Sequence, residues 1–326
     1  MASIQEIKRR IKAVTNTRQI TKAMEMVSAT KMRRSQETAL LSRPFAFEAL
    51  RILGELSIRT GYTPAIMHER PVAKRAIVVI ASDRGLAGSF NTNVFRAFER
   101  RIENEVKATS DPEQLRHGAS KRQVIFIAVG KKAEEFINRK GYELHASFKN
   151  FGDFIEPEEV VPLADLLVKG FLEEQWDRVT VVSTHFRTTL RQDVVVRDVL
   201  PISDERVRET LKELVPEYGR FAGTGNAVAS FAAGAEAKWD FEYLIEPDPQ
   251  TVLDTLAPEL VRIMVYDLVL EANASEHSAR MVAMKNASEN AEELKGTLTL
   301  TYNKLRQASI TREVAEIVAG AEALRT

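Results

Sequence analysis

The chain has 326 residues, 44% hydrophobic and 28% charged, with 46 basic side chains against 46 acidic ones. That composition excludes a wholly disordered chain, and zero net charge argues against a generally basic nucleic-acid binder. Without any cysteine, disulfides, iron–sulfur clusters, thiolate zinc sites and thiol redox switches are excluded as well. The length admits two globular units, or one with an extended attachment. No window approaches a membrane span of about 18 apolar residues, and the N-terminus lacks the apolar core of a signal peptide, so an intracellular, soluble product is expected.

From Met1 to Arg43 there is neither Gly nor Pro, and the segment is rich in good helix formers. Ser3 and Glu6 read as a capping box. Ile4, Ile7, Ile11 and Val14 follow a 3-4-3 spacing, a narrow coiled-coil seam. The apolar pattern then weakens and is read to resume, shifted in phase, at Ile20, Met24 and Val27. A helix from Ser3 to Arg43 would be about 60 Å long, and about 85 Å if it continues past Pro44 to Ile58. We therefore assign residues 1–60 to an N-terminal coiled-coil helix. It is strongly basic, with ten cations against three carboxylates before Pro44.

The middle of the chain, 72–202, reads as a Rossmann-like α/β domain. Ala76–Ile80, Val124–Val129 and Val179–Val182 suit buried strands, and Val194–Val196 a fourth. Helical patterns cover Thr92–Val106, Lys131–Lys140 and Glu158–Glu174, with a polar loop from Thr109 to Arg122. Strands alternating with helices predict a mostly parallel, doubly covered sheet. Between 203 and 238 the pattern is lost, and we read a flexible insertion or linker. From 239 to 326 a second long helix is expected. Met281, Met284, Ala287, Ala291, Leu294, Leu298, Tyr302, Leu305 and Ala308 recur at three- and four-residue steps, and Ile310, Val314, Ile317, Ala321 and Leu324 form a further stripe. Two seamed helices at opposite ends of one chain most simply pair as an antiparallel coiled coil. The longer C-terminal one should protrude past its partner, carrying the second stripe to a partner of its own.

Reactive chemistry is not legible. No phosphate-binding loop of Walker type is present, and the glycines of Ser82-Asp83-Arg84-Gly85-Leu86-Ala87-Gly88 lack dinucleotide spacing. Asp83 stands where a phosphate would have to sit. The five histidines are scattered, with no metal-ligand spacing, and no nucleophile elbow occurs. No catalytic, cofactor-binding or metal-binding residue is assigned, and no cofactor is expected.

Four stretches closely resemble the gamma-subunit family of F-type ATP synthases, the central rotor shaft. They are Ile4–Arg34, the Ser82–Asn91 loop, Glu246-Pro247-Asp248-Pro249, and Ala279–Ala321 with Tyr302-Asn303-Lys304-Leu305-Arg306-Gln307 and Ile310-Thr311-Arg312-Glu313. The resemblance implies a coiled coil on the axis of a hexamer of three alpha and three beta subunits. It also implies a globular foot that, with an epsilon subunit, rests on a ring of c subunits driven by protons or sodium ions. It implies a non-catalytic subunit, peripheral on the cytoplasmic face of the bacterial plasma membrane, with no membrane insertion and no nucleic acid. Met24, Lys31, Arg33, Arg34, Arg306, Gln307, Thr311 and Glu313 match positions where the family meets the catalytic hexamer. Ile310, Val314, Ile317, Ala321 and Leu324 would form an apolar bearing tip. The alternative is a coiled-coil adaptor whose basic helix binds nucleic acid or anionic membrane, with binding that falls steeply with salt.

Overall fold

The computed structural model describes residues 3–109, 123–152, 154–203 and 245–323. The readings placed on 204–238, on 110–122 and on Leu324 lie outside the described residues. The chain falls into two compact units, one of residues 1–30 with 280–326 and one of residues 31–279. Two helices run through both: α1 (Ile4–Thr60) and α5 (Pro249–Ala323). The fold class is α/β with long paired terminal helices.

The larger unit is built on a five-stranded sheet. Its strands are β1 (Lys74–Ile80), β2 (Gln123–Val129), β3 (Leu144–Phe148), β4 (Arg178–Thr188) and β5 (Arg191–Leu200), in the order β3-β2-β1-β4-β5. The three pairings among β3, β2, β1 and β4 are parallel, and β5 returns antiparallel on β4 through a hairpin. The remaining helices are α2 (Phe90–Thr109), α3 (Lys131–Arg139) and α4 (Pro157–Leu172).

Alternation along β1 sends its side chains to two separate cores. Ile77 and Val79 join Ala128 and Val182 under α2 and α3, against Val94, Phe98, Phe136 and Ile137. Ala76, Val78 and Ile80 face the other way with Ile127, Val129, Val179 and Val181. There they meet Leu163, Leu167 and Phe171 of α4, together with Leu53 and Leu56 of α1 and Leu253 to Ala272 of α5. Both faces of a parallel sheet are thus covered, which is why its strands read as unbroken apolar runs. Within this unit α1 and α5 are antiparallel: Ser35 donates to Asn273 (2.8 Å), while Tyr62, just beyond α1, donates to Asp254 (2.8 Å).

Two glycines are dictated by space. Gly130, between β2 and α3, has φ +91°, and a Cβ there would lie 2.0 Å from the carbonyl oxygen of Ala81. Gly170 in α4 lets the ring of fully buried Trp176 pass, with a would-be Cβ 2.0 Å from it. The Trp176 indole donates to the Leu167 carbonyl (3.0 Å). A buried indole N–H needs such a partner.

The smaller unit pairs the start of α1 with the end of α5 along one row each. On α1 the inward positions are Ile7, Ile11, Val14, Arg18, Thr21, Glu25 and Ser28, an unbroken alternation of four- and three-residue steps. The phase shift expected at Ile20 therefore does not occur. Ile20 and Val27 are 61% and 52% exposed, while Thr21 and Ser28 are buried in their place. Within the larger unit Met32, Ser35 and Ala39 occupy the same heptad positions. The sequence reading followed the apolar residues, whereas the helix keeps its heptad register and accepts small polar residues inside it. Thr21 Oγ1 donates to the Arg18 carbonyl (3.1 Å), which removes the penalty of burying its hydroxyl.

On α5 the inward row runs through Met284, Ser288 and Ala291, then the half-buried Lys295, Leu298, Tyr302, Leu305 and Ser309. Leu294 and Ala308, expected in the seam, are exposed. Arg18 and Glu292 form an ion pair across the two helices.

One element also differs from expectation. Strand β3 was not anticipated, because Leu144-His145-Ala146-Ser147-Phe148 is half polar and lies at the sheet edge, where burial is incomplete. The C-terminal helix begins at Pro249, within the segment assigned to it. Asp248 caps it, accepting from the Thr251 N–H (2.9 Å) and Thr251 hydroxyl (2.6 Å). Ser3 does the same for α1, accepting from the Glu6 N–H (3.2 Å).

Candidate interaction surfaces

Doubly wound sheets take ligands at the carboxyl ends of their strands, often on a helix N-terminus. Here Asp83, just after β1, fills that position with its own carboxylate. Oδ1 accepts the Lys131 N–H at the start of α3 (2.8 Å), and Oδ2 accepts the Asn150 N–H beyond β3 (3.1 Å). Ser82 and Asn91 close the loop behind it, the Ser82 N–H donating to Asn91 Oδ1 (3.1 Å). An acidic side chain satisfying the amides that a phosphate would need makes the site electrostatically hostile to a nucleotide. Among the described residues, no three His, Asp or Glu side chains are grouped to hold a metal ion.

The informative surfaces lie on the two long helices. In the smaller unit Arg306, Gln307, Thr311 and Glu313 are all exposed on α5, and Met24 is half-buried on α1. Thr311 donates to the Gln307 carbonyl (2.9 Å), and Ser309 to Glu313 (3.2 Å), so these side chains are arranged along one helix. Beyond Ser309 every described side chain of α5 is exposed, including Ile310, Val314, Ile317 and Ala321. Ile317 is 71% exposed. The stripe predicted there exists as a row on a helix that has outrun its seam.

In the larger unit Arg33 and Arg34 are exposed and Lys31 is half-buried. Arg34 lies over the Phe154 ring, 4.6 Å from its centre. That stacking holds its guanidinium by a cation–π contact, a feature no sequence pattern announced. The charge at the start of α5 is also tuned. The Thr251 hydroxyl and main-chain N–H bonded to Asp248 hold its carboxyl below the usual range.

A family model described as "ATP synthase" matches residues 3–324. The chain is 39% identical to the ATP synthase gamma chain of Roseiflexus castenholzii, aligned over 99% of both chains. With the gamma chain of Herpetosiphon aurantiacus the identity is 40%, again over 99% of both. The chain belongs to the ATP synthase gamma-chain family.

Solved structures agree at the level of fold. A chain of the Euglena gracilis mitochondrial ATP synthase OSCP/F1/c-ring assembly superposes with a TM-score of 0.59 at 20% identity, covering 98% of this chain and 94% of that one. A chain of the Tetrahymena thermophila central stalk and c-ring gives 0.56 at 22% identity, covering 82% and 99%. Family membership leaves the nucleic-acid or membrane adaptor without support. Among the described residues, no helix is long and apolar enough to cross a membrane.

What sequence reasoning missed has identifiable causes. Arg34 was grouped with Lys31 and Arg33 as a basic cluster, but its partner Phe154 is 120 positions away and follows an unanticipated strand. The polar residues that bind β4 and β5 to α5, among them His185, Glu271 and Arg197, were scattered in the sequence and had no spacing to connect them.

Proposed function

We propose that the chain is the central rotor shaft of an ion-translocating ATP synthase and is itself non-catalytic. Proton or sodium flow turns a ring of c subunits. The α/β domain, together with an epsilon subunit, rides on that ring, and the paired helices turn inside a hexamer of three alpha and three beta subunits. A shaft that presents a different side to each catalytic subunit favours a different conformation in each, so rotation cycles them through binding, condensation and release of nucleotide. The complex is peripheral on the cytoplasmic face of a bacterial plasma membrane.

In this reading Met24, Arg306, Gln307, Thr311 and Glu313 touch the inner loops of the hexamer. Lys31, Arg33 and Arg34 offer positive charge to acidic loops of beta subunits, where complementarity sets orientation more than affinity. The stripe Ile310, Val314, Ile317, Ala321 and Leu324 turns in an apolar sleeve, where the absence of directed hydrogen bonds keeps friction low. The observation that supports this reading best is the exposure of every described α5 side chain beyond Ser309, because an exposed apolar stripe in water calls for a covering partner.

Native mass spectrometry of what copurifies with the tagged chain from gently solubilised membranes tests it. One copy with three alpha and three beta subunits and an epsilon chain is expected. A lone chain would overturn the reading. Ile317→Asp should weaken retention of the tip in the hexamer while leaving the fold of the chain unchanged. Undiminished assembly and torque in that variant would remove the bearing role.

A further inference from the structure

The β4–β5 hairpin is fastened to α5 by polar contacts. His185 of β4 donates from Nδ1 to Glu271 Oε2 (2.9 Å), and Arg197 of β5 lies 3.7 Å from the same oxygen. The His185 and Glu271 side chains are 11% and 6% exposed, and that of Arg197 is 17% exposed. One helical turn further on, Ser275 donates to the Thr184 carbonyl (3.4 Å). Beyond it, Ser278 donates to the Thr189 carbonyl (2.7 Å) and accepts from Gln192 (3.2 Å). The hairpin is therefore bound along α5 from Glu271 to Ser278. The preceding stretch of α5, Leu253 to Leu270, packs into the apolar core instead.

The two kinds of contact resist different loads. Apolar packing is non-directional and resists displacement through interlocking shape and lost contact area, with no single preferred bond. A buried carboxylate bonded to an imidazole N–H and facing a guanidinium has a narrower geometric optimum, and displacing either partner weakens a charge-assisted contact in low dielectric. Glu271 also receives its partners from both strands of the hairpin, so it braces α5 against rotation relative to the sheet edge. The carboxylate fixes the imidazole as its Nδ1–H tautomer, so the bond has a set direction.

We propose that His185, Glu271 and Arg197 form a torque clamp, a point at which twisting load passes between the α/β domain and α5. The three are positioning residues and touch no nucleotide. This rests on the shaft reading above. The clamp stays closed throughout rotation, and loosening it lets ATP-driven α5 turn without carrying the domain fully with it, so hydrolysis continues while ion transport falls behind.

The test uses the whole ATP synthase in inverted membrane vesicles, with ATP hydrolysis and ATP-driven ion pumping measured on the same preparation. His185→Ala and Glu271→Ala should lower the pumping per ATP hydrolysed by about threefold or more, with hydrolysis retained. His185→Asn places an amide N–H near the position of Nδ1 and should keep most of the coupling. An unchanged ratio in both alanine variants would overturn the proposal. So would an asparagine variant as uncoupled as alanine, since it would assign the effect to ring packing. Should the alanine variants not assemble, Glu271→Gln decides: it keeps an acceptor for His185 but loses the charge facing Arg197, and a normal ratio would overturn the clamp. Native mass spectrometry of the unsubstituted complex separates the two readings, because a chain that never joins alpha and beta subunits defeats the shaft and not merely the clamp.

Discussion

The two units of this chain bury their side chains in opposite styles. Residues 31–279 enclose a sheet between two apolar clusters, and nearly every side chain of β1 is inaccessible. Residues 1–30 and 280–326 bury one row per helix and leave Ile20, Met26, Val27, Leu300 and the Ile310–Val318 stripe in the open. The contrast separates two jobs. In a three-dimensional core, apolar side chains hold the fold. On a two-helix seam much of the apolar surface is left over, and what is left over is available for partners.

The sharpest way to break the comparison is in the larger unit, where a single methyl group should be intolerable. Gly130→Ala puts a Cβ against the Ala81 carbonyl in a conformation that L side chains rarely adopt. It should cost about 3 kcal/mol or more, read as a lowered urea midpoint for the isolated chain. An unchanged midpoint would mean that the β2–α3 corner can give way, and that this unit is not packed as tightly as its burial implies.

The next effect is smaller and tests the seam register. Ile7 is buried and Ile20 is exposed, although the apolar pattern alone placed both in seams. Ile7→Ala should cost about 2 kcal/mol, whereas Ile20→Ala should stay within about 0.5 kcal/mol, both measured by denaturation followed at the helical circular dichroism band. Equal losses would restore the phase-shifted seam.

That mistaken phase shows where the sequence was legible. Strands β1, β2 and β4 announced themselves, because burial on both faces demands unbroken runs such as Ala76-Ile77-Val78-Val79-Ile80. Helices α2 and α3 were bounded by turn residues such as Gly141. The thin seam was harder. Its register is set by a period, not by which residues are apolar, so Thr21 and Ser28 disguised it. Strand β3 was hidden by its edge position. Among the candidate surfaces, the stripe from Ile310 onward was legible as a period, and the structure places it in the open. The cation–π partner of Arg34 and the contacts of Glu271 join residues about 120 and 86 positions apart, and no local pattern carries such information.

Filling the disguised seam should sharpen the comparison. Thr21→Val replaces a buried hydroxyl, bonded only to its own helix, by a methyl of nearly equal size in the same seam row as Ile7 and Val14. It should stabilise the paired helices by about 0.5–1 kcal/mol, visible as a higher midpoint for loss of helical signal. Destabilisation would show that the hydroxyl has a further role in the seam.

The smallest effect concerns how α5 begins. It starts in the larger unit on a carboxylate cap and ends in the smaller one on an uncovered stripe. The Asp248 carboxyl is held below its usual range by the Thr251 hydroxyl and N–H, and it sits at the positive end of the helix dipole. A group whose native affinity for protons is depressed stabilises the fold above its ordinary pKa of about 4. That contribution is lost as the pH falls through the lower native value. Asp248→Asn keeps an acceptor for the Thr251 N–H but cannot titrate, so it should remove this part of the acid limb and leave the rest intact. The check is the difference in urea midpoint between the two chains from neutral pH down through the carboxylate range. A difference that shrinks as the acid range is entered means that the charge on Asp248 strengthens the start of α5. A constant difference means that the cap acts through its hydrogen bonds alone, and that the dipole adds nothing at this exposed end.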